Sequence, residues 1–323
     1  MTEPTATTTG DLSHLRDVID RYRTCELATI SKSGVPIAWP TVFELSPAGN
    51  RIVLTTSITF PQKAFNIRRD PRVALLFSDP TGAGRTDLPQ ILVRGTAVCP
   101  PEIHAGTDGL EGYWRRLARL QPASRGYGGT AVGRWLFDWY YLRLVITVTP
   151  HEVTIHRRPP GNGSMVAPAP ARSDHSAYAR LSRQLPGFTS AVLGTVGPGE
   201  MPELRRVTLR ADRATGTFLV DGPDVGAASS GPASLLLHRH DDLLWNQQQV
   251  VATGTLTRSA DRCLFRPERV LPNQFPKNPV EMGRVLVRAR RAAHRYLEHR
   301  GLDRPAIDWA AHRACEHDAA TGS

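Results

Sequence analysis

The sequence predicts a mainly β chain with helices, an α+β fold in which two small β-barrels follow one another and pair as a pseudo-dimer. A helical insert in the first barrel and a helix after the second complete it. Three observations predict this. At 323 residues the chain is long for a single core. Short alternating, β-branched segments separated by Gly and Pro turns fill both halves. The segments of one half also recur in the other in the same order.

Met1 to Gly10 is Thr-rich and lacks the basic start and apolar core of a signal peptide, so residues 1–10 are expected to be a disordered lead-in. The first barrel is expected over 11–158. Asp11 to Tyr22 reads as a helix with Leu12, Leu15, Ile19 and Tyr22 on one stripe, and leads into a strand at Glu26–Ser31. Asp174 to Leu185, then Thr189–Gly194, repeats that step with no gap as far as Gly34 and Gly197. Pro40–Leu45 answers Arg206–Arg210, and Arg51–Thr56 answers Thr217–Asp221. Next, Asp70-Pro71 before an apolar strand answers Gly231-Pro232, where the proline bars further helix. Gln90-Ile-Leu-Val-Arg-Gly-Thr96 matches Gln249-Val-Val-Ala-Thr-Gly-Thr255, and Val148–Val153 matches Phe265–Val270 through a shared P-x-x-V. Several strands with a single helix among them argue for a barrel in each half.

The halves differ in what they insert. Pro101 to Tyr140 places helical Leu110–Leu120 and aromatic Trp135–Tyr141 between the last two strands of the first half, with Trp135 expected in the core. A Pro/Gly/Ala linker is expected over 159–173 and the second barrel over 174–275. In the remaining 276–323, Arg284, Arg288, Arg291 and Arg295 share one helical face and Met282, Leu286, Ala289, Ala293 and Tyr296 the other, a docked helix with a solvated outer side before a polar tail.

Composition narrows the function classes. Hydrophobic residues make up 40% and no apolar run approaches the roughly 18 residues of a membrane span. The net charge of +10 invites nucleic acid, but the cations are dispersed and nearly all arginine, which argues against it. Cys25, Cys99, Cys263 and Cys315 form no C-x-x-C pair, so a reducing cytoplasm fits and neither a disulfide framework nor a zinc ribbon is expected. His312, Cys315 and His317 lack the second ligand pair of a structural metal site. His238 and His240 point to one side of a strand and read as a polar strand end.

The strongest local motif runs from Thr55 to Val73. Thr56 and Ser57 stand at a strand end, Gln62 and Lys63 open a short helix, and Asn66-Ile-Arg68-Arg69-Asp70-Pro71 closes it. Hydroxyls and free N–H groups at a helix start bind anions, and a lysine there sits at the wrong end of the dipole unless an anion offsets it. The layout suits a phosphate.

This run, with T-T-S before it and Q-I-L-V-R-G-T-A after it, is similar to the flavin- and deazaflavin-binding split barrels of the pyridoxamine-phosphate-oxidase-like superfamily. The resemblance covers roughly 11 to 156 and, more faintly, 174 to 275. It implies that Thr56, Ser57, Gln62 and Lys63 hold the phosphate of FMN, that Pro40, Thr41 and Val42 lie along the isoalloxazine edge, and that Gln90 contacts the ring. Gln62 departs from the oxidase, which carries arginine there, leaving one cation fewer. The resemblance implies an FMN-dependent oxidoreductase acting on a small organic substrate, with Trp39, Arg125, Tyr127 and Trp139 as candidate pocket walls. A deazaflavin cofactor is the close alternative. A non-catalytic flavin or haem carrier is a further one, although no axial histidine for haem is evident.

The second half has no Lys or Arg between Leu219 and Leu237, and Asp221 and Asp224 stand near the phosphate position, where they would repel it. Members of this superfamily form homodimers with cofactors between barrels, so the tandem resembles such a dimer on one chain. One cofactor site per chain is expected, cradled by the first half and covered by the second or by another chain.

Overall fold

Two β-units and two C-terminal helices emerge from a computed structural model that describes residues 5–156, 165, 167, 174–222, 225–259, 262–271 and 279–321. The expected linker falls almost wholly outside these residues, as do Asp224 and Lys277. The first unit comprises β1 (Thr5–Thr9), α1 (Arg16–Ile19), β2 (Cys25–Ile30), β3 (Pro36–Thr41), β4 (Phe43–Leu45), β5 (Ile52–Ser57), α2 (Gln62–Arg69), β6 (Arg72–Phe77), β7 (Gln90–Val98), α3 (Glu111–Leu120), α4 (Ala131–Tyr141) and β8 (Arg143–His156). Its antiparallel sheet runs β3-β2-β6-β7-β8-β5-β4, with β1 paired to β8. The second unit comprises α5 (Ala177–Ser182), β9 (Ala191–Val196), β10 (Pro202–Asp212), β11 (Thr217–Asp221), β12 (Gly231–Arg239), β13 (Gln248–Ser259) and β14 (Arg262–Leu271). Its strands close into a barrel in the order β10-β11-β14-β13-β12-β9. The helices α6 (Pro279–Glu298) and α7 (Trp309–Thr321) follow.

The two units differ where the second strand of the repeat runs. In the second unit β10 is continuous and seals the barrel. In the first, the β2 ladder ends at Cys25 opposite Thr41 and the β5 ladder resumes at Phe43 opposite Leu54, so Val42 belongs to neither. The expected Pro40–Leu45 strand is therefore split at Val42.

The Q-x-x-x-x-G-T signature has a steric cause. Both copies shift register at the same point, between Arg94 and Gly95 and between Thr253 and Gly254. A Cβ on Gly95 would lie 2.2 Å from the Thr149 carbonyl oxygen, and one on Gly254 2.0 Å from that of Arg266. Only glycine admits the opposite strand so closely.

Four hydrophobic clusters hold the described residues together, one of them formed by Leu110, Tyr113, Trp114, Leu117, Tyr141 and Cys315 where the insert meets α7. Leu12, Leu15, Ile19 and Tyr22 are buried in the first barrel with Leu27, Phe43, Leu75 and Leu144, although the helix they define is shorter than its pattern, a 3-10 turn followed by α1. Leu181, Leu185, Leu193, Phe218, Leu235 and Phe265 form the second core. The third lies between the barrels, where Ala28, Ala38, Ala74, Leu76 and Leu92 meet Val192, Leu204, Leu236 and Val251.

Four expectations are corrected. The lead-in is not disordered over Thr5–Thr9, because β8 extends beyond its β5 pairing and its edge offers backbone partners to a β-branched segment. The gapless repeat slips: Cys25 corresponds to Ala191, an offset of 191 − 25 = 166, whereas Asp174 − Asp11 gives 163, so three extra residues precede β9. The polar tail forms α7, which packs Cys315 and Trp309 on α3 and α4. Trp135 is 57% exposed, because α4 turns Tyr141 inward and leaves Trp135 outside under the Arg290 guanidinium, 4.3 Å from the ring centroid. The α6 faces are as expected over its C-terminal half, with Ala289, Ala293 and Tyr296 buried and Arg284, Arg288, Arg291 and Arg295 exposed, whereas Met282 is exposed and Leu286 half-buried at the cavity rim.

Candidate functional site

A cavity of about 1250 Å³ opens where the first barrel, its helical insert, the second barrel and α6 converge. The β3 end supplies Trp39, Pro40, Thr41 and Val42, where the interrupted strand turns main chain toward the void. The end of β5 and the start of α2 supply Thr56, Ser57, Gln62 and Lys63. The insert contributes Tyr127, Phe137, Trp139 and Tyr140. Ten of the sequence-predicted positions, Trp139 among them, thus line one void. Gln90 and Arg125 do not. Gln90 is buried at the start of β7, and Arg125 is spent on backbone, donating to the Ala118 and Ala319 carbonyls at 2.9 and 3.5 Å.

Charge distribution is the telling property. No aspartate or glutamate lines the cavity among the described residues, while Lys63 and Arg143 both do. Burial and the neighbouring Arg143 push the Lys63 ammonium down to about 8 from its ordinary 10.5. Its described contact is the Trp39 ring, with Nζ 6.0 Å from the centroid. Arg143, 9% exposed, stacks over Tyr140 and Trp114 with its carbon 4.3 and 5.3 Å from the centroids, and its buried Nε has no hydrogen-bond partner. Two crowded cations without a counter-charge are costly unless an anion joins them.

The hydroxyls are already engaged. Thr56 donates to the Phe60 carbonyl at 2.9 Å, and Ser57 to the Trp139 carbonyl at 2.7 Å while accepting from the Thr59 N–H at 3.2 Å. Gln62 donates to Asn66, which donates to Thr29, so these amides brace α2 against β2. The arginine run after them is structural too: Arg68 holds the Cys99 and Pro100 carbonyls, Arg69 the Ile30 carbonyl, and Arg72 pairs with Asp70 and Glu200.

Arg143 escaped sequence reasoning because it follows the insert, far from the helix motif. It begins β8 directly opposite Ser57, and there it supplies a second cation to the cavity that Gln62 also lines, where the oxidase motif has arginine in place of that glutamine. A cover from the second half is expected from the sequence, but its residues were not assigned to the site. The β12 end and the loop into β13 bring His238, His240, Trp245 and Gln249 to the cavity. Gln249 is the repeat counterpart of Gln90, so by the pseudo-symmetry of the pair the second copy's glutamine faces the first copy's site. The signal was present in the matched Q-x-x-x-x-G-T runs.

The histidines are not a solvated strand end. His238 Nε2 lies 2.8 Å from Glu26 Oε1, and Arg206 donates to the same oxygen at 2.6 Å and to Ser78 at 2.8 Å. His240 Nε2 lies 3.2 Å from the Thr24 hydroxyl and 3.7 Å from Asp79. Burial opposes ionisation of Glu26 and Asp79, but Arg206 and His238 outweigh it and hold both carboxyls below their usual range. His312 is buried against the Ala105 carbonyl, and no group of three potential metal ligands occurs among the described residues. All four cysteines are free and buried, and no described helix is long and apolar enough to cross a membrane.

The barrel pair with a cation-lined void at its seam defines the class, and comparison supplies the family. Residues 12–120 match the family model described as pyridoxamine 5'-phosphate oxidase. The first unit therefore belongs to the pyridoxamine-phosphate-oxidase-like split-barrel superfamily. Among solved structures, a conserved hypothetical protein from Mycobacterium tuberculosis is 25% identical, with a TM-score of 0.33, over 48% of this chain and 90% of that one. An F420 reductase is 20% identical, with a TM-score of 0.26, over 45% and 97%. An FAD-binding protein from Mesorhizobium loti is 16% identical, with a TM-score of 0.32, over 48% and 100%. No curated protein sequence matches the chain.

Proposed function

We propose that the cavity binds one FMN per chain and that the protein is a flavin-dependent oxidoreductase acting on a small organic substrate. The observation that carries this reading is the meeting of Lys63 and Arg143, two cations with no carboxylate among the described residues of the wall, beside the strand break at Pro40–Val42. Lys63 and Arg143 would hold the phosphate, with Thr56 and Ser57 completing the grip if their hydroxyls turn from the backbone. The peptide units of Pro40, Thr41 and Val42 would lie along the ring edge, with Gln249 donating from the second unit. When bound, the flavin supplies hydride chemistry at N5. The protein supplies position, a neutralised phosphate and a wall of Trp39, Phe137, Trp139 and Tyr140 that keeps water out.

On this reading the first barrel, 11–158, carries the cofactor, and the second, 174–275, together with α6 forms its cover. Asp221, at the corresponding place in the second copy, fits a single site. Free buried cysteines accord with a reducing cytoplasm. A deazaflavin is the second reading. The cavity exceeds the usual range of about 300–1000 Å³ for small-ligand sites, which leaves space for a longer cofactor tail. Haem is less well served, because His238 and His240 are engaged by Glu26 and Thr24 rather than offered to a metal.

The test is direct. Purified protein should be yellow or take up one equivalent of FMN per chain, and Lys63→Ala and Arg143→Gln should each weaken that binding by roughly 10- to 100-fold, the range for a charge-assisted hydrogen bond. Colourless protein that binds neither FMN nor a deazaflavin would refute the reading, and two equivalents per chain would refute the single site.

A further inference from the structure

The ladder registers allow the two copies to be laid on each other residue by residue. Glu26 pairs with Pro40 as Val192 pairs with Arg206, and Thr29 with Ile37 as Thr195 with Glu203. Ala74 pairs with Arg94 as Ser234 pairs with Thr253, and Arg72 with Thr96 as Pro232 with Thr255. Three pairs at the apolar centre of the interface obey this symmetry: Leu76 matches Leu236, Leu92 matches Val251, and Ala38 matches Leu204.

The charges around that centre do not. Glu26 of the first unit meets Arg206 and His238 of the second at 2.6 and 2.8 Å. In the opposite sense, Arg94 meets Glu203 at 2.7 Å and Arg72 meets Glu200 at 2.9 Å. At every one of these positions the other copy is uncharged. Glu26 answers to Val192, Arg206 to Pro40, His238 to Ser78, Arg94 to Thr253, Glu203 to Ile37, and Arg72 to Pro232. Glu200 answers to Gly34 and keeps its left-handed backbone, with φ of 57° against 77° for the glycine. A side chain is thus held where glycine is the relaxed choice, and the ion pair with Arg72 is what it gains there.

We propose that these pairs act as an address: the first barrel's face accepts a second barrel's face and rejects a copy of itself, so the chain closes on itself as a monomer. Two first-barrel faces brought together would bury two Glu26 carboxylates against Pro40 and Ser78, with no cation. Two second-barrel faces would bury two Arg206 guanidiniums against Val192, with no acid. Stranding a buried charge costs more than an exposed pair returns, so repulsion of the wrong partner sets the choice. The consequence for the site is that Lys63 always faces Gln249 and His238, never a second Lys63. This holds whichever cofactor the cavity takes.

The full chain tests it. Wild-type protein should run as a 35.5 kDa monomer in light scattering at all concentrations. Glu26→Gln and Arg206→Met should each speed hydrogen exchange in β2 and β9 by about tenfold, and the double variant should return to within about threefold of wild type, because contacting charges couple. A double variant as perturbed as the sum of the singles would overturn the proposal. Should the singles not fold, Arg94→Cys with Glu203→Cys, bridged by a short bis-maleimide, decides the partner. Cross-linking within one chain supports the proposal. A covalent dimer, or a wild-type dimer with first barrels paired, overturns it.

Discussion

Replacing Lys63 by methionine should stabilise the ligand-free protein while removing its hold on an anion. The cavity pushes the Lys63 ammonium from 10.5 down to about 8, chiefly by burial and then by Arg143. The drop from 10.5 to about 8 corresponds to about 3.4 kcal/mol against the charged form. Lys63 keeps some contact with water inside the void, so about 1–2 kcal/mol is the realistic share. Because the folded value lies below the unfolded one, the penalty is full below about pH 8, shrinks between there and 10.5, and is gone above it. Lys63→Met should therefore raise the melting temperature at pH 7 by roughly 2–8 °C, and the pH-dependent part of that gain should vanish above pH 10.5. Differential scanning calorimetry from pH 6 to 10.5, with and without FMN, reads both effects. FMN should raise the melting temperature of wild type more than that of the variant at the same concentration. A variant no more stable than wild type at pH 7, or a gain flat with pH, would refute the idea that this cation is strained until an anion arrives.

Three further outcomes follow from other parts of the structure. Gln249→Ala should weaken FMN binding by roughly 3- to 10-fold, the value of one hydrogen bond, while Gln90→Ala changes it less than about twofold; flavin fluorescence titration separates them. Burial raises the Glu316 carboxyl to about 7 although Tyr141 donates to it, so the docking of α7 should be strongest below about pH 4.5 and weaken as pH rises through 7. Limited proteolysis of α7 should thus quicken at pH 8, and Glu316→Gln should abolish that quickening, worth about 1–2 kcal/mol for a half-buried group. Gly95→Ala or Gly254→Ala, each driving a methyl onto a carbonyl oxygen, should destabilise its barrel by roughly 3 kcal/mol or more, seen as lost soluble yield and early urea unfolding.

The sequence carried the fold because both copies obey the same local rules. Leu12, Leu15, Ile19 and Tyr22 lie on one stripe, and the glycine before Thr96 and Thr255 is demanded by a bulge that both barrels contain. The cation motif around Lys63 was equally legible, since a lysine at a helix start needs a reason. What was not legible depends on neighbours far apart in sequence. The burial of His238 and His240 comes from Glu26 and Asp79 in the other barrel. Trp135 lost the core to Tyr141 through the rotation of α4, and Arg143 reaches the void because β8 pairs with β5 in a register that no local pattern announces. The three-residue slip ahead of β9 escaped notice because an ungapped match is the simplest one, and only strand pairing exposes it.

Joining the two barrels in one chain also changes what can vary. In a homodimer of identical barrels, each wall residue appears at both sites, so any substitution alters two cavities at once. Here Lys63 and Arg143 on one wall and Trp245 and Gln249 on the other are separate genetic positions facing a single void. On the proposed reading, substrate preference can drift on the second wall while the anion grip on the first is untouched. The assembled site also does not dissolve on dilution, because its two walls are held at the effective concentration of a tether rather than at the abundance of the protein.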